Sequence, residues 1–218
     1  MEAMGRVAAG ELANAFCFIG AGGHHAGRDF FGGYCCFNDV VIAVRQARRT
    51  GCLRRVAILD TDAHHGDGTR DLVAEDPDVL HVCICGAEYT SADGTKVDVP
   101  APDPWALERS PDQAYLDLAR AAFPPRATRF RPDLIVWYFG FDTHQGDYGD
   151  LGLTSAAFLG LADLMLETAA QVCGGKLVVV LGGGSRTNLA TVLIPPVIAR
   201  LAGVVWPGGN PLDTQSGH

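Results

Sequence analysis

Apolar positions follow two rhythms along this chain. Runs at 56–59, 79–85, 134–139 and 176–181 are nearly continuous and rich in β-branched residues, the pattern of strands buried on both faces. Residues 14–19 predict a further strand. Helical spacing fills the intervals. Asn38 predicts a cap for a helix reaching about Thr50, with Gly51 closing it. A short helix is expected after Asp67, Ser110-Pro111 opens another to about Ala122, and 154–172 is long and amphipathic. A last helical segment holds Pro195-Pro196, which is expected to break or kink it. Strand–helix alternation of this kind predicts an α/β fold: a three-layer α-β-α arrangement with a mostly parallel sheet. No internal repeat or linker interrupts 1–218, which reads as a single domain with a Gly/Pro-rich tail after Trp206.

Ligands in such sheets bind beyond the carboxyl ends of the strands, and the polar residues of interest fall there. After the 56–59 run comes Asp60-Thr61-Asp62-Ala63-His64-His65-Gly66-Asp67-Gly68-Thr69. Alternation makes Asp60, Asp62 and His64 lean to one side as the strand runs out. Asp62 and His64 offer two donors for one divalent metal, and Asp67 can return to orient a histidine. Asp142, just past the 134–139 run, is the candidate third ligand. Three such donors leave a position open for water and a substrate oxygen, and two carboxylates with one imidazole suit Zn2+, with Fe2+ or another divalent ion as alternatives. His24 and His25 are the candidates for proton transfer, and Asp60 and Asp67 can fix their tautomers. His81 and His144 read as packed or solvated, Asp147 and Asp150 as shaping the loop after Asp142, and Cys83-x-Cys85 as core.

Five blocks occur in order: Gly22-Gly23-His24-His25-Ala26, Gly32-Gly33-Tyr34-Cys35-Cys36-Phe37-Asn38-Asp39, the Asp60–Gly68 segment, Phe141-Asp142-Thr143-His144, and Leu181-Gly182-Gly183-Gly184. With them, residues 14–190 resemble the zinc-dependent histone deacetylase superfamily, which includes acetylpolyamine amidohydrolases and acetoin-utilisation proteins. The resemblance implies an arginase/deacetylase-like fold and removal of an acyl group from an N-acyl-lysine, an acetylpolyamine or a related acylamine. It implies that Asp60 backs His24 and Asp67 backs His25. His25 would serve as general base and then acid, and His24 as electrostatic helper. The Gly33 carbonyl would accept the substrate amide N–H, Tyr34 would wall a narrow acyl-lysine channel, and backbone around Asp60, Asp62 and His64 would hold a structural K+.

Two departures from the family pattern change the expectation. Most active members carry a tyrosine after the late glycine run, where its hydroxyl polarises the carbonyl; Arg186 takes that position here. Arginine could supply a charged donor or pair with a substrate carboxylate, and Tyr148 could stand in for the missing phenol. Turnover of acetyl-lysine is therefore expected to be slow or absent. A catalytically weak metal-binding homologue or acyl-lysine reader, or an amidohydrolase for acidic N-acyl substrates, is the alternative. The family domain also has elements before the block at Asn14, so the chain reads as shortened, with an uncovered sheet edge that favours a homo-oligomer.

Composition narrows the partners. Lys plus Arg number 17 against 25 Asp plus Glu, a net charge of −8, which argues against a nucleic-acid surface. The basic cluster Arg45, Arg48, Arg49, Arg54 and Arg55 reads as a solvated helix end. Seven cysteines without Cys-x-x-Cys spacing point to a reducing compartment, with the cytoplasm expected. No uninterrupted apolar run has the length of a membrane span, so no membrane partner is expected. The family resemblance implies a small acylated amine or acyl-lysine as the partner.

Overall fold

The computed structural model describes residues 1–20, 22–106 and 108–208. Its centre is a seven-stranded sheet in the order β1-β7-β6-β2-β3-β5-β4. The strands are β1 (Asn14–Cys17), β2 (Val56–Asp60), β3 (Val79–Cys85), β4 (Tyr89–Thr90), β5 (Lys96–Pro100), β6 (Leu134–Phe139) and β7 (Leu177–Leu181). Every pairing is parallel except β4 with β5. The helices are α1 (Glu2–Ala8), α2 (Asp39–Arg49), α3 (Asp67–Val73), α4 (Pro111–Ala122), α5 (Pro124–Phe130), α6 (Ser155–Cys173) and α7 (Thr187–Leu201).

Strand alternation sorts the core into two halves. Ala57, Leu59, Ile135, Trp137 and Phe139 point to the face covered by α4–α7. Val56, Ile58, Leu134, Val136 and Tyr138 point to the face covered by α1 and α2, with α3 adding Val73. This is the three-layer α-β-α fold that the hydrophobic pattern predicts. Helix α6 is apolar and long enough, by length and composition, to cross a membrane. Its Leu161, Met165 and Ala169 are buried in the larger core, so packing against the sheet accounts for its apolarity.

Predicted boundaries hold closely at α2, where the Asn38 side chain accepts from the Val41 N–H and Gly51 takes a positive φ of 74°. One expectation fails. Helix α7 continues through Pro195 and Pro196. The N–H groups they lack would have bonded the carbonyls of Thr191 and Val192, both on exposed residues where water can replace them. Helix α1, helix α5 and the β4–β5 pair were not expected at all.

Chain order explains the position of the site. From β2 the chain moves outward to β3 and β5 and then returns to lay β6 on the other side of β2. The reversal opens a crevice at the carboxyl ends of β2 and β6, with Asp60 opposite Tyr138.

Candidate metal centre and its histidines

Strands β2, β6 and β7 end side by side, and each sends a loop over that crevice. The β2 loop carries Asp62 and His64, the β6 loop Asp142, and the β7 loop the glycine run. His64 Nδ1 lies 3.1 Å from Asp62 Oδ1 and 3.0 Å from Asp142 Oδ2. One ligand atom from each of the three lies within 4.8 Å of the others. Asp62 and Asp142 are buried, and among the described residues no Lys or Arg pairs with them. Burial pushes the Asp142 carboxyl up to about 7 against the His64 hydrogen bond, and the Asp62 charge adds to the rise. Hydrogen bonds to Asp142 and Asp62 push His64 up to about 10. Two buried carboxylates thus converge on a position that calls for positive charge. The donor set fits a zinc or ferrous ion.

The Gly22–Asn38 loop brings the other two histidines. Buried His24 sets Nδ1 2.9 Å from Asp60 Oδ2 and stacks on Tyr138, whose hydroxyl accepts the His24 N–H at 3.2 Å. Burial alone would lower the His24 pKa, but the Asp60 charge and hydrogen bond outweigh it and raise it to about 9. His25 Nδ1 lies 2.6 Å from Asp67 Oδ1, and the two imidazoles sit 4.1 Å apart. In both residues the Nδ1 atom is engaged by a carboxylate, which leaves Nε2 for chemistry. His24 Nε2 is 3.6 Å from Asp62 Oδ1, so this imidazole borders the ligand set.

Glycine is required where loops meet side chains. A Cβ on Gly183 would stand 2.4 Å from Asp62 Oδ2 and 2.7 Å from the Tyr148 hydroxyl. Its N–H donates to that same Asp62 oxygen at 2.7 Å. A Cβ on Gly68 would meet the Ala26 backbone at 2.4 Å, so the Asp67 loop can close on the histidine loop only without one.

These groups line a cavity of about 220 Å³ whose walls include His24, His25, Asp62, His64, Gly33, Tyr34, Gly183 and Tyr148. Tyr34 lies at the mouth, 95% exposed, with a positive φ of 64°. The Gly33 carbonyl accepts from the Cys35 thiol at 3.4 Å. Nine of the ten residues expected at the site therefore border the cavity or engage those that do, with Asp60, Asp67 and Asp142 among them as partners of His24, His25 and His64.

Arg186 lies elsewhere. It is exposed and caps α7, and it does not line the cavity. The Asp147 carboxylate explains this: it accepts the Ser185 and Arg186 N–H groups, both at 3.1 Å through Oδ2, and turns the chain away after the glycine run. The Arg186 side chain runs toward Gly146, where an added Cβ would be 3.9 Å from Nη1. The expectation that Arg186 takes the position of the missing phenol is corrected accordingly. His81 and His144 are buried, His81 3.9 Å from Asp60 Oδ2 and His144 stacked on Phe158. A second group escaped the sequence reading: His65, Cys85 and Asp98 also bring ligand atoms within 4.8 Å of one another. Asp98 there is bonded to Arg70 at 2.5 Å.

The histone deacetylase domain family matches residues 1–194. The chain belongs to the histone deacetylase family. The match begins well before Asn14, further than the sequence blocks reach. Histone deacetylase 14, chloroplastic, from Arabidopsis thaliana is 35% identical over 182 residues, covering 78% of this chain and 42% of that protein. The histone deacetylase-like amidohydrolase of Pseudomonas aeruginosa is 32% identical over 218 residues, 94% of this chain and 56% of its own length. The crystal structure of the HDA15 HD domain superposes with a TM-score of 0.78 at 27% identity, covering 98% of this chain and 62% of that one. The chain spans about half the length of the curated relatives it matches.

Proposed function

We propose that this chain is a metal-dependent amide hydrolase that removes an acyl group, acetyl first among them, from an N-acyl-lysine, an acetylpolyamine or a related acylamine. One observation carries the reading: a three-donor ligand set, with Asp62 and His64 in the wall and Asp142 buried behind His64, and two carboxylate-backed histidines border the same cavity. A zinc or ferrous ion held by Asp62, His64 and Asp142 would polarise the amide carbonyl and lower the pKa of water.

The remaining chemistry belongs to side chains. His25, oriented by Asp67, takes a proton from the attacking water through Nε2 as the oxygen bonds the carbonyl carbon. It then returns that proton to the nitrogen as the C–N bond breaks, so the products are a carboxylic acid and an amine. His24, held by Asp60 and raised toward the protonated form, supplies positive charge beside the developing oxyanion. The cavity of about 220 Å³ is below the roughly 300–1,000 Å³ of drug-sized pockets, and it suits a short acyl group on a slender alkyl amine. Tyr34 at the mouth would flank the alkyl chain, and the Gly33 carbonyl would accept the amide N–H on exchange of its Cys35 contact. Selection of an acidic substrate by Arg186 draws no support from that residue's outward position.

The test is metal content by elemental analysis, coupled to hydrolysis of acetyl-lysine peptides, acetylpolyamines and small N-acyl acids by zinc- and iron-loaded protein. One divalent ion per chain and release of acetate from an acetylated amine are expected. Stoichiometric metal with no turnover on any of these substrates would leave a reader of acyl-lysine in its place.

A further inference from the structure

With Arg186 turned outward, the cavity needs another donor for the oxygen that becomes negative when water adds to the amide carbonyl. Two phenols line it, Tyr34 and Tyr148. Tyr34 is 95% exposed, so its hydroxyl belongs to the mouth. Tyr148 is 57% exposed overall, but its hydroxyl end points into the site, against the glycine run. Its ring stacks on His64 with centroids 5.3 Å apart and planes 26° from parallel. Its hydroxyl lies against the glycine run, 2.7 Å from where a Gly183 Cβ would stand, the same point that is 2.4 Å from Asp62 Oδ2. The phenol oxygen is therefore beside two of the three ligand residues.

Hydrogen bonding fixes what this hydroxyl can do. It accepts the Gly184 N–H at 3.3 Å. Among the described residues it donates to none, so its own proton remains available to a ligand. The neighbouring carboxylate holds the loop in place: Asp147 Oδ1 accepts the Tyr148 N–H at 2.8 Å and the Ser185 hydroxyl at 2.9 Å. One aspartate thus ties the loop after β6 to the start of α7. The same bonds aim Tyr148 into the cavity and send Arg186 out.

We propose that Tyr148 is the oxyanion donor of this chain, a catalytic hydroxyl supplied from the loop after β6 rather than from the residue following the glycine run. The proposal rests on the hydrolase reading above. Its phenol O–H donates to the carbonyl oxygen more strongly as charge develops there, so it acts on the transition state and little on substrate binding.

The experiment compares zinc-loaded wild type, Tyr148→Phe and Arg186→Ala in kinetics and in calorimetric binding of a trifluoromethyl ketone analogue of acetyl-lysine, whose hydrate imitates the tetrahedral adduct. Tyr148→Phe is expected to keep its metal, its melting temperature and its KM. It should lose kcat by roughly 10²–10³ and analogue affinity by a similar factor. Arg186→Ala should change kcat by less than about threefold. A merely structural hydroxyl, needed only as the Gly184 acceptor, predicts lower metal content or melting temperature and a raised KM, and that pattern overturns the proposal. So does equal analogue affinity in wild type and Tyr148→Phe, whatever the turnover. A wild type that hydrolyses no acylamine would reject the hydrolase reading and with it the catalytic role; loss of analogue affinity in Tyr148→Phe would then show the hydroxyl to be a binding donor only.

Discussion

Two clusters of nearly identical composition sit on either side of the carboxyl end of β2, and adjacent residues feed them. His64 joins Asp62 and Asp142; His65 joins Cys85 and Asp98. In both, ligand atoms lie within 4.8 Å of each other, so proximity does not distinguish them. Charge does. Asp98 is paired with Arg70 at 2.5 Å, and the His65 Nε2 atom adds a 3.2 Å contact. Arg70 also donates to the Val97 carbonyl and stacks over Tyr89. The second cluster carries its own cation. Asp62 and Asp142 share His64, which would itself be a ligand, and His24 borders Asp62 at 3.6 Å, but among the described residues no Lys or Arg pairs with either. A metal site needs an unmet negative charge as well as donors in reach.

The largest effect should come from breaking the first cluster. Asp142→Asn keeps the volume but removes one charge from the pair. We expect metal content to fall from one ion per chain to background, and hydrolysis with it. Full metal occupancy in this variant, measured by elemental analysis, would remove Asp142 from the ligand set.

Proton transfer should separate from metal binding. His25 hydrogen-bonds none of the three ligand residues and lies only edge-on to His64, with centroids 6.2 Å apart. In His25→Ala metal should therefore stay while kcat drops by roughly 10²–10⁴, the usual share of a general acid–base. Loss of metal here, with metal retained in His64→Ala, would mean that the two histidines have exchanged roles.

Gly183→Ala tests how closely the cluster is packed. Its Cβ would press on Asp62 Oδ2 and the Tyr148 hydroxyl at 2.4 and 2.7 Å, so one or both must move. Metal affinity should weaken by about 10–100-fold, as when groups that orient ligands are disturbed. Unchanged affinity with normal activity would show that the β7 loop yields without consequence.

Much of this was legible in the sequence because the signals are local. Asp60 ends one strand, Asp62 and His64 follow it within a few residues, and Asp142 follows another, so strand prediction alone places them at the carboxyl ends of neighbouring strands. The pairing of His24 with Asp60 and His25 with Asp67 was implied by the family pattern and is present in the structure. What the sequence hid depends on distant partners. Arg186 is turned outward by Asp147, 39 residues earlier in the chain. Strand β5 was missed because Lys96 and Asp98 are charged yet buried. Lys96 Nζ donates to the Asp76 and Val79 carbonyls and Thr95 Oγ1, while Asp98 is neutralised by Arg70. Neither partner is visible in the hydrophobic rhythm of the segment.

Removing the cation from the second cluster tests the comparison directly. Arg70 and Asp98 side chains are only 13% and 4% exposed, and deleting one member of a buried pair typically costs about 3–5 kcal/mol. Arg70→Met should lower stability by that order in chemical denaturation. Added zinc should recover part of the loss by binding His65, Cys85 and Asp98 as a second ion. Equal destabilisation with and without zinc would mean that geometry, rather than charge, disqualifies the second cluster.

The smallest effect is expected at Cys85, and it tests whether the wild-type cluster binds metal. Cys85 is buried at the end of β3, opposite Pro100 of β5 and two residues past Cys83, which is opposite Asp98. With Arg70 in place, a second divalent ion would add charge to a group that is already neutral, and it would have to displace a hydrogen-bonded guanidinium. Cys85→Ser should therefore leave metal stoichiometry at one per chain and kcat within about twofold. Stability should fall by no more than roughly 1–2 kcal/mol, because a hydroxyl replaces a thiol in a buried position. A wild type that binds two ions, one of them lost in Cys85→Ser, would show that Arg70 coexists with a metal there. The contrast between the clusters would then have to rest on the histidines His24 and His25, which only the first cluster faces.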